Sequence, residues 1–181
     1  MDAEEASHLM GALDFKAACA EISSAASYLL STGSPKVGIT GFCMGGALTL
    51  AAMSVGADVV AGAPFYGVPN AAYFDVSSIT KPVLFQSGEK DNHKGFSDPD
   101  AVYALEEKIK SAGGQIEVHI YPSAGHGFMN VLTSVGVEFL QKVNQPIPDK
   151  AEAELAMERL IKFFTTHLAV HMASLTEEGE E

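Results

Sequence analysis

The stretch Lys36-Val37-Gly38-Ile39-Thr40-Gly41-Phe42-Cys43-Met44-Gly45-Gly46-Ala47-Leu48-Thr49-Leu50-Ala51-Ala52-Met53 decides the fold. From Lys36 to Thr40 it is apolar or β-branched on both parities, as a strand buried on both faces of a parallel sheet would be. Glycines then crowd one turn, and Ala47 to Met53 reads as a helix that ends near Gly56. The turn carries Gly41-x-Cys43-x-Gly45, the strand-to-helix elbow that exposes a nucleophile, with sulfur in place of the usual serine oxygen. In such a turn the nucleophile's backbone is strained, and only small neighbours let strand and helix approach. Unpaired N–H groups and the dipole at a helix N-terminus also favour a thiolate. The backbone N–H of Met44, the residue after the nucleophile, is the expected half of an oxyanion hole.

On the N-terminal side, Phe15, Cys19, Ile22, Ala26 and Leu29 recur at steps of three and four, which predicts a helix from Phe15 to Leu30 stopped by Gly33-Ser34-Pro35. On the C-terminal side, Val59 to Ala63 and Pro82 to Gln86 read as further strands. Asp98 and Pro99 then open a helix whose stripe is Val102, Leu105, Ile109 and Ala112. Ile116, Val118 and Ile120 alternate with Glu117, His119 and Tyr121, a strand with one more polar face and a good candidate for an edge. The stretch from Phe128 to Gln145 is ambiguous, with helical character around Val137 to Val143. Pro148-Asp149 with Glu152 opens a last helix carrying Met157, Leu160, Ile161, Phe164 and Leu168. Strands separated by helix-sized segments imply right-handed crossovers and a mostly parallel sheet flanked by helices, an α/β fold whose ligands sit at the carboxyl ends of the strands.

The chain's 181 residues favour one domain, read as residues 1–173, followed by an acidic tail over residues 174–181. Eleven Lys and Arg against 23 Asp and Glu give a net charge of −12, so phosphate backbones and anionic lipid are poor partners. No nucleic acid or membrane partner is expected, since no apolar run approaches the roughly 18 residues of a membrane span. The start, Met1-Asp2-Ala3-Glu4-Glu5, is acidic where a secretory signal would be basic and then apolar. Only two cysteines occur, Cys19 and Cys43, without C-x-x-C spacing, and a reducing, cytoplasmic location is the expectation.

Three strand-end loops hold a reactive group: Cys43, then Asp91 in Gly88-Glu89-Lys90-Asp91-Asn92-His93, then His126 in Ala124-Gly125-His126-Gly127-Phe128. His126 is the natural general base for the thiol, and Asp91 would orient its ring and stabilise its charged form. The order nucleophile, acid, histidine is that of α/β-hydrolases. Glu89, Asp91 and His93 alternate as metal ligands might, but a loop gives them no common face, so solvated charge is the preferred reading and neither metal nor cofactor is expected. Cys19 belongs to the apolar stripe of its helix and is read as inert core.

These residues resemble the dienelactone hydrolase (carboxymethylenebutenolidase) family of α/β-hydrolases. The resemblance is carried by Gly41-Phe42-Cys43-Met44-Gly45-Gly46-Ala47, Phe65-Tyr66-Gly67, Gly88-Glu89-Lys90-Asp91 and Ala124-Gly125-His126-Gly127-Phe128, and extends from about Phe15 to the last helix. It implies that Cys43 attacks a small ester or enol-lactone carbonyl to give an acyl-thioester that water hydrolyses, with His126 as base and Asp91 as its acid. Family members carry further strands ahead of the first helix, which supply a second oxyanion N–H, a glutamate that helps activate the thiol and an arginine for the substrate carboxylate. None of these has a matching position here, so the chain reads as an N-terminally shortened member. An inner strand would then become an edge with open hydrogen-bonding groups, and a second copy of the chain covering it is one expectation. The alternative reading is a weak or inactive hydrolase-fold protein that binds a ligand or partner.

Overall fold

The computed structural model describes residues 3–170; the acidic tail over residues 174–181 lies outside them. Helices α1 (Ala3–Gly11) and α2 (Phe15–Ser31) lead into β1 (Gly38–Phe42), α3 (Met44–Ser54), β2 (Ala61–Phe65), β3 (Val83–Gly88), α4 (Pro99–Ser111), β4 (Ile116–Tyr121), α5 (Ser134–Lys142) and α6 (Lys150–Leu168). Short 3-10 turns occupy Val76–Ser78 and Phe128–Leu132. The four strands pair in parallel in the order β1-β2-β3-β4.

The two sheet faces follow from the alternation of β3. Val83 and Phe85 join Leu50, Met53, Val102, Leu105 and Ile109 in the layer under α3 and α4, while Leu84 points the other way, into the layer of Phe65, Tyr121, Phe128, Leu140, Ala153 and Leu160 under α5 and α6. Helix α3 is apolar around most of its circumference because it is covered twice, by β1 and β2 below and by α2 above. Buried Gln86 is bonded at both amide atoms on the α6 side: Tyr121 Oη donates to its Oε1 (2.6 Å), and its Nε2 donates to the Ala156 carbonyl (3.1 Å).

Several expectations shift by a turn or a register. The first strand runs from Gly38 to Phe42 and is not buried on both faces, for Thr40 and Phe42 are exposed. The reason is position: among the described residues β1 has a strand neighbour on one side only, so both β1 and β4 are edges. The second strand lies two residues later than its apolar core suggested and includes Pro64, paired opposite Gly41. Asp98 does stand at the start of α4, yet its carboxylate turns back to accept from the Gly95 N–H (2.6 Å) and Lys94 (3.0 Å) instead of capping the helix. The ambiguous stretch resolves into α5, capped by Thr133, whose hydroxyl accepts from the Gly136 N–H (3.0 Å). Among the described residues no helix is long and apolar enough to cross a membrane.

Candidate active site

Cys43 occupies the joint between β1 and α3 with φ 56° and ψ −121°, a backbone conformation unfavourable for a side-chain-bearing residue. Its surroundings hold it there. The Cys43 N–H bonds to the Phe65 carbonyl (3.1 Å), and its own carbonyl accepts from Gly46 (2.9 Å) and Ala47 (3.2 Å). A Cβ on Gly41 would overlap the Gly45 carbonyl, and one on Gly46 would overlap the Phe65 carbonyl, whereas Gly45 faces open space. Close packing therefore demands glycine at 41 and 46, and Gly45, the second glycine of the sequence pattern, is free of that demand.

The loops after β3 and β4 are tied together before they reach the thiol. Glu89 N–H bonds to the Tyr121 carbonyl (2.9 Å) and Lys90 N–H to the Ala124 carbonyl (2.8 Å), so the two chains leave the sheet as a unit. Asp91 and His126 are delivered side by side. The His126 N–H donates to the Gln145 side chain (3.2 Å). Ser123, three residues upstream, is clasped by α6: Glu152 accepts from its N–H and from its hydroxyl (2.6 Å), while that hydroxyl oxygen accepts from the Asp149 N–H (2.7 Å).

The three groups meet as the sequence pattern anticipates. His126 Nε2 lies 3.0 Å from Cys43 Sγ, and His126 Nδ1 lies 2.8 Å from Asp91 Oδ2. An ionised carboxylate only accepts, so Nδ1 carries a hydrogen and Nε2 is left to exchange a proton with sulfur. The Asp91 side chain is fully buried and that of His126 is 14% exposed. Burial alone would raise the Cys43 pKa, but the His126 hydrogen bond and charge, with the Met44 N–H aimed at the sulfur, outweigh it and bring the thiol below its ordinary value. Burial likewise opposes charge on His126, and the Asp91 and Cys43 contacts overcome it, raising the imidazole to about 9. For Asp91, burial is outweighed by the bonds from His126 and His93, which hold the carboxyl low. All three directions are those of a thiolate–imidazolium pair backed by a carboxylate. Cys19 behaves in the opposite way: it is buried, and burial raises its pKa.

Three neighbours join the site that the sequence pattern does not assign to it. Tyr66, at φ 33°, sets its ring edge-on to His126 with centroids 5.2 Å apart, and burial first, then the Cys43 and Asp91 charges, push its hydroxyl upward. Its only signal was membership of Phe65-Tyr66-Gly67. Ser97 Oγ lies 3.2 Å from His126 Nδ1. His93, expected as solvated charge, instead places its Nδ1 2.9 Å from Asp91 Oδ1 and its ring 4.2 Å from that of His126. Asp91, His93 and His126 together offer ligand atoms within 4.8 Å of one another, a spacing a metal ion accepts, but in the structure those atoms are engaged with each other. A cavity of about 520 Å³ adjoins the site, walled by Met10, Phe15, Ala47, Tyr73, Phe74 and Phe96, and Phe96 is also packed beside His126 at 6.1 Å.

Known proteins share this chain's sequence pattern and its fold. A family model described as the dienelactone hydrolase family matches residues 1–168. The chain is 30% identical over 138 residues to protein usf of Aquifex pyrophilus, covering 76% of this chain and 54% of that protein. It is 29% identical over 146 residues to a carboxymethylenebutenolidase of Rhodococcus opacus, covering 76% of this chain and 52% of that protein. The chain thus spans about half the length of these curated relatives. Among solved structures, an α/β hydrolase enzyme from a Medee basin deep-sea metagenome library superposes with a TM-score of 0.64 at 16% identity, over 84% of this chain and 65% of that one; at that identity the likeness concerns the fold.

Proposed function

The chain belongs to the dienelactone hydrolase family, and from that premise we propose that it is a cysteine-dependent hydrolase of small carboxylic esters or enol lactones. The observation that carries the proposal is the unbroken line from Asp91 Oδ2 through His126 to Cys43 Sγ, with links of 2.8 and 3.0 Å, at a strained strand-to-helix turn. The thiolate attacks the substrate carbonyl carbon, forming a C–S bond while the π pair moves onto oxygen, where the Met44 N–H is a donor. Collapse restores the carbonyl and breaks the bond to the leaving alcohol or enol, whose oxygen takes the proton from His126 Nε2. Water then attacks the thioester and gives a proton to the same nitrogen; the second collapse expels the thiolate and leaves the carboxylic acid. Asp91 keeps the imidazolium oriented and charged through both halves.

The direct test is turnover of an activated aryl ester and of an enol lactone by purified protein. Cys43→Ala should reduce kcat/KM by about a thousandfold or more, and mass spectrometry should find the acyl adduct on Cys43 of the unaltered chain after rapid quench. Cys43→Ser tests whether sulfur itself is needed. Turnover unchanged in Cys43→Ala overturns the proposal.

A further inference from the structure

We infer that His93 is a positioning residue for the Cys43–His126 pair, acting through Asp91. The inference rests on the triad reading above. A carboxylate in a triad needs only one oxygen for the histidine, and the other must be fixed if the first is to stay aimed. In this chain Asp91 Oδ2 faces His126, and Oδ1 is held twice by one residue, from the His93 backbone N–H (3.1 Å) and from His93 Nδ1 (2.9 Å). That double hold crosses the carboxylate's end and opposes rotation about its last bond. Because Oδ1 only accepts, His93 Nδ1 must carry a hydrogen, as His126 Nδ1 does on the other oxygen. Two imidazoles thus share one fully buried carboxylate with their centroids 4.2 Å apart.

The two rings differ in access, which separates their tasks. His126 reaches sulfur and is nearly enclosed, whereas the His93 side chain is 43% exposed and has no contact with Cys43 among the hydrogen bonds of the site. The charged groups around His93 are Asp91 on its Nδ1, His126 against its face, and Lys94 and Asp98 in its own loop. Removing the His93 side chain frees Oδ1 and leaves the backbone N–H as its single protein donor here, so the carboxylate can swing away from His126. The imidazolium then loses support and the thiolate loses its counter-ion.

The test reads Cys43 directly as well as turnover. In His93→Ala, kcat on p-nitrophenyl acetate should fall about tenfold with KM within about twofold, and the midpoint of the pH profile for alkylation of Cys43 by iodoacetamide should rise by about half a pH unit or more. His93→Asn places an amide N–H where the Nδ1–H stood, and should restore both the rate and the midpoint to near those of the unaltered protein. If His93→Ala matches the unaltered protein in kcat and midpoint, or if Asn is as impaired as Ala in both, the inference is overturned. Alkylation needs no substrate, so a chain that hydrolyses nothing but shows the Ala shift and the Asn rescue retains the positioning role while losing the proposed activity.

Discussion

Cys43 has two unlike flanks. Toward β2, β3 and β4 every polar group is met: Asp91 uses both oxygens, His126 both ring nitrogens, and the loops that carry them are pinned to each other and to α6. Toward the outer edge of β1 no strand pairs among the described residues. Thr40 and Phe42 are exposed, and a groove of about 300 Å³ lined by Ile22, Leu29, Val37, Ile39 and Leu48 runs between that edge and helices α2 and α3. The contrast teaches that proton handling in this fold is a local matter, closed by two loops and one helix, while burial of the sheet edge is a separate matter decided elsewhere. Perturbing the first flank should damage chemistry, and perturbing the second should leave it alone.

The sharpest way to break that contrast is to remove the imidazole. His126→Gln should lower ester hydrolysis by about a thousandfold and slow alkylation of Cys43 at neutral pH by at least about tenfold, with the far-ultraviolet circular dichroism unchanged. Retention of fast alkylation would mean that the thiolate does not depend on the ring. Next in size is the backbone joint itself. Gly46→Ala drives a methyl group into the Phe65 carbonyl and should cost about 2–3 kcal/mol, or roughly 5–10 °C in Tm for a chain of this length; an unaltered melting curve would show that the elbow yields.

The pH dependence of stability sharpens the comparison further. His126 is raised from the ordinary histidine value to about 9, so its contribution is full below about 6.5 and is lost as pH rises through about 9. Asp91 is held low, and its contribution is present above the ordinary carboxylate value and lost as pH falls through its folded one. Cys43, held below its ordinary value, gains over the same range as His126 loses and offsets that loss. Urea unfolding should therefore show stability declining toward pH 9 in Cys43→Ala, where Asp91 still raises His126, and a shallower decline in the unaltered chain; parallel curves would refute the assignment. Smallest of all, Leu29→Glu, on the exposed α2 wall of the groove, should change Tm and turnover little, by less than about 0.5 kcal/mol in stability. A large loss of turnover there would erase the distinction between the flanks.

The site was legible because its chemistry coincides with punctuation. Cys43, Asp91 and His126 each follow a recognisable strand, and glycines mark two of the three turns, so strand counting alone brings them to one rim. What escaped the sequence reading depends on contacts remote in the chain. Spacing could not tell that His93 turns not into solvent but inward onto Asp91, where its ring packs against that of His126, 33 residues away by number. Tyr66 carries no pattern that announces a positive φ, and its place beside the imidazole is set by the close approach of Gly67 to the Cys43 carbonyl. The strand shift has the same origin: Val59 looks like sheet by its β-branching, yet pairing opposite β1 starts at Ala61 and carries through Pro64. Helix α1 and the boundaries of α5 are short, weakly patterned segments that local preference leaves undetermined.

The grip of Glu152 and Asp149 on Ser123 makes the last helix a latch for the rim that carries His126. Peeling that helix from its first turn would release the segment ending in His126 while the β-sheet is still intact. Gentle heating or low urea should then silence the protein before it melts, and the gap between those two events would gauge how firmly the latch holds.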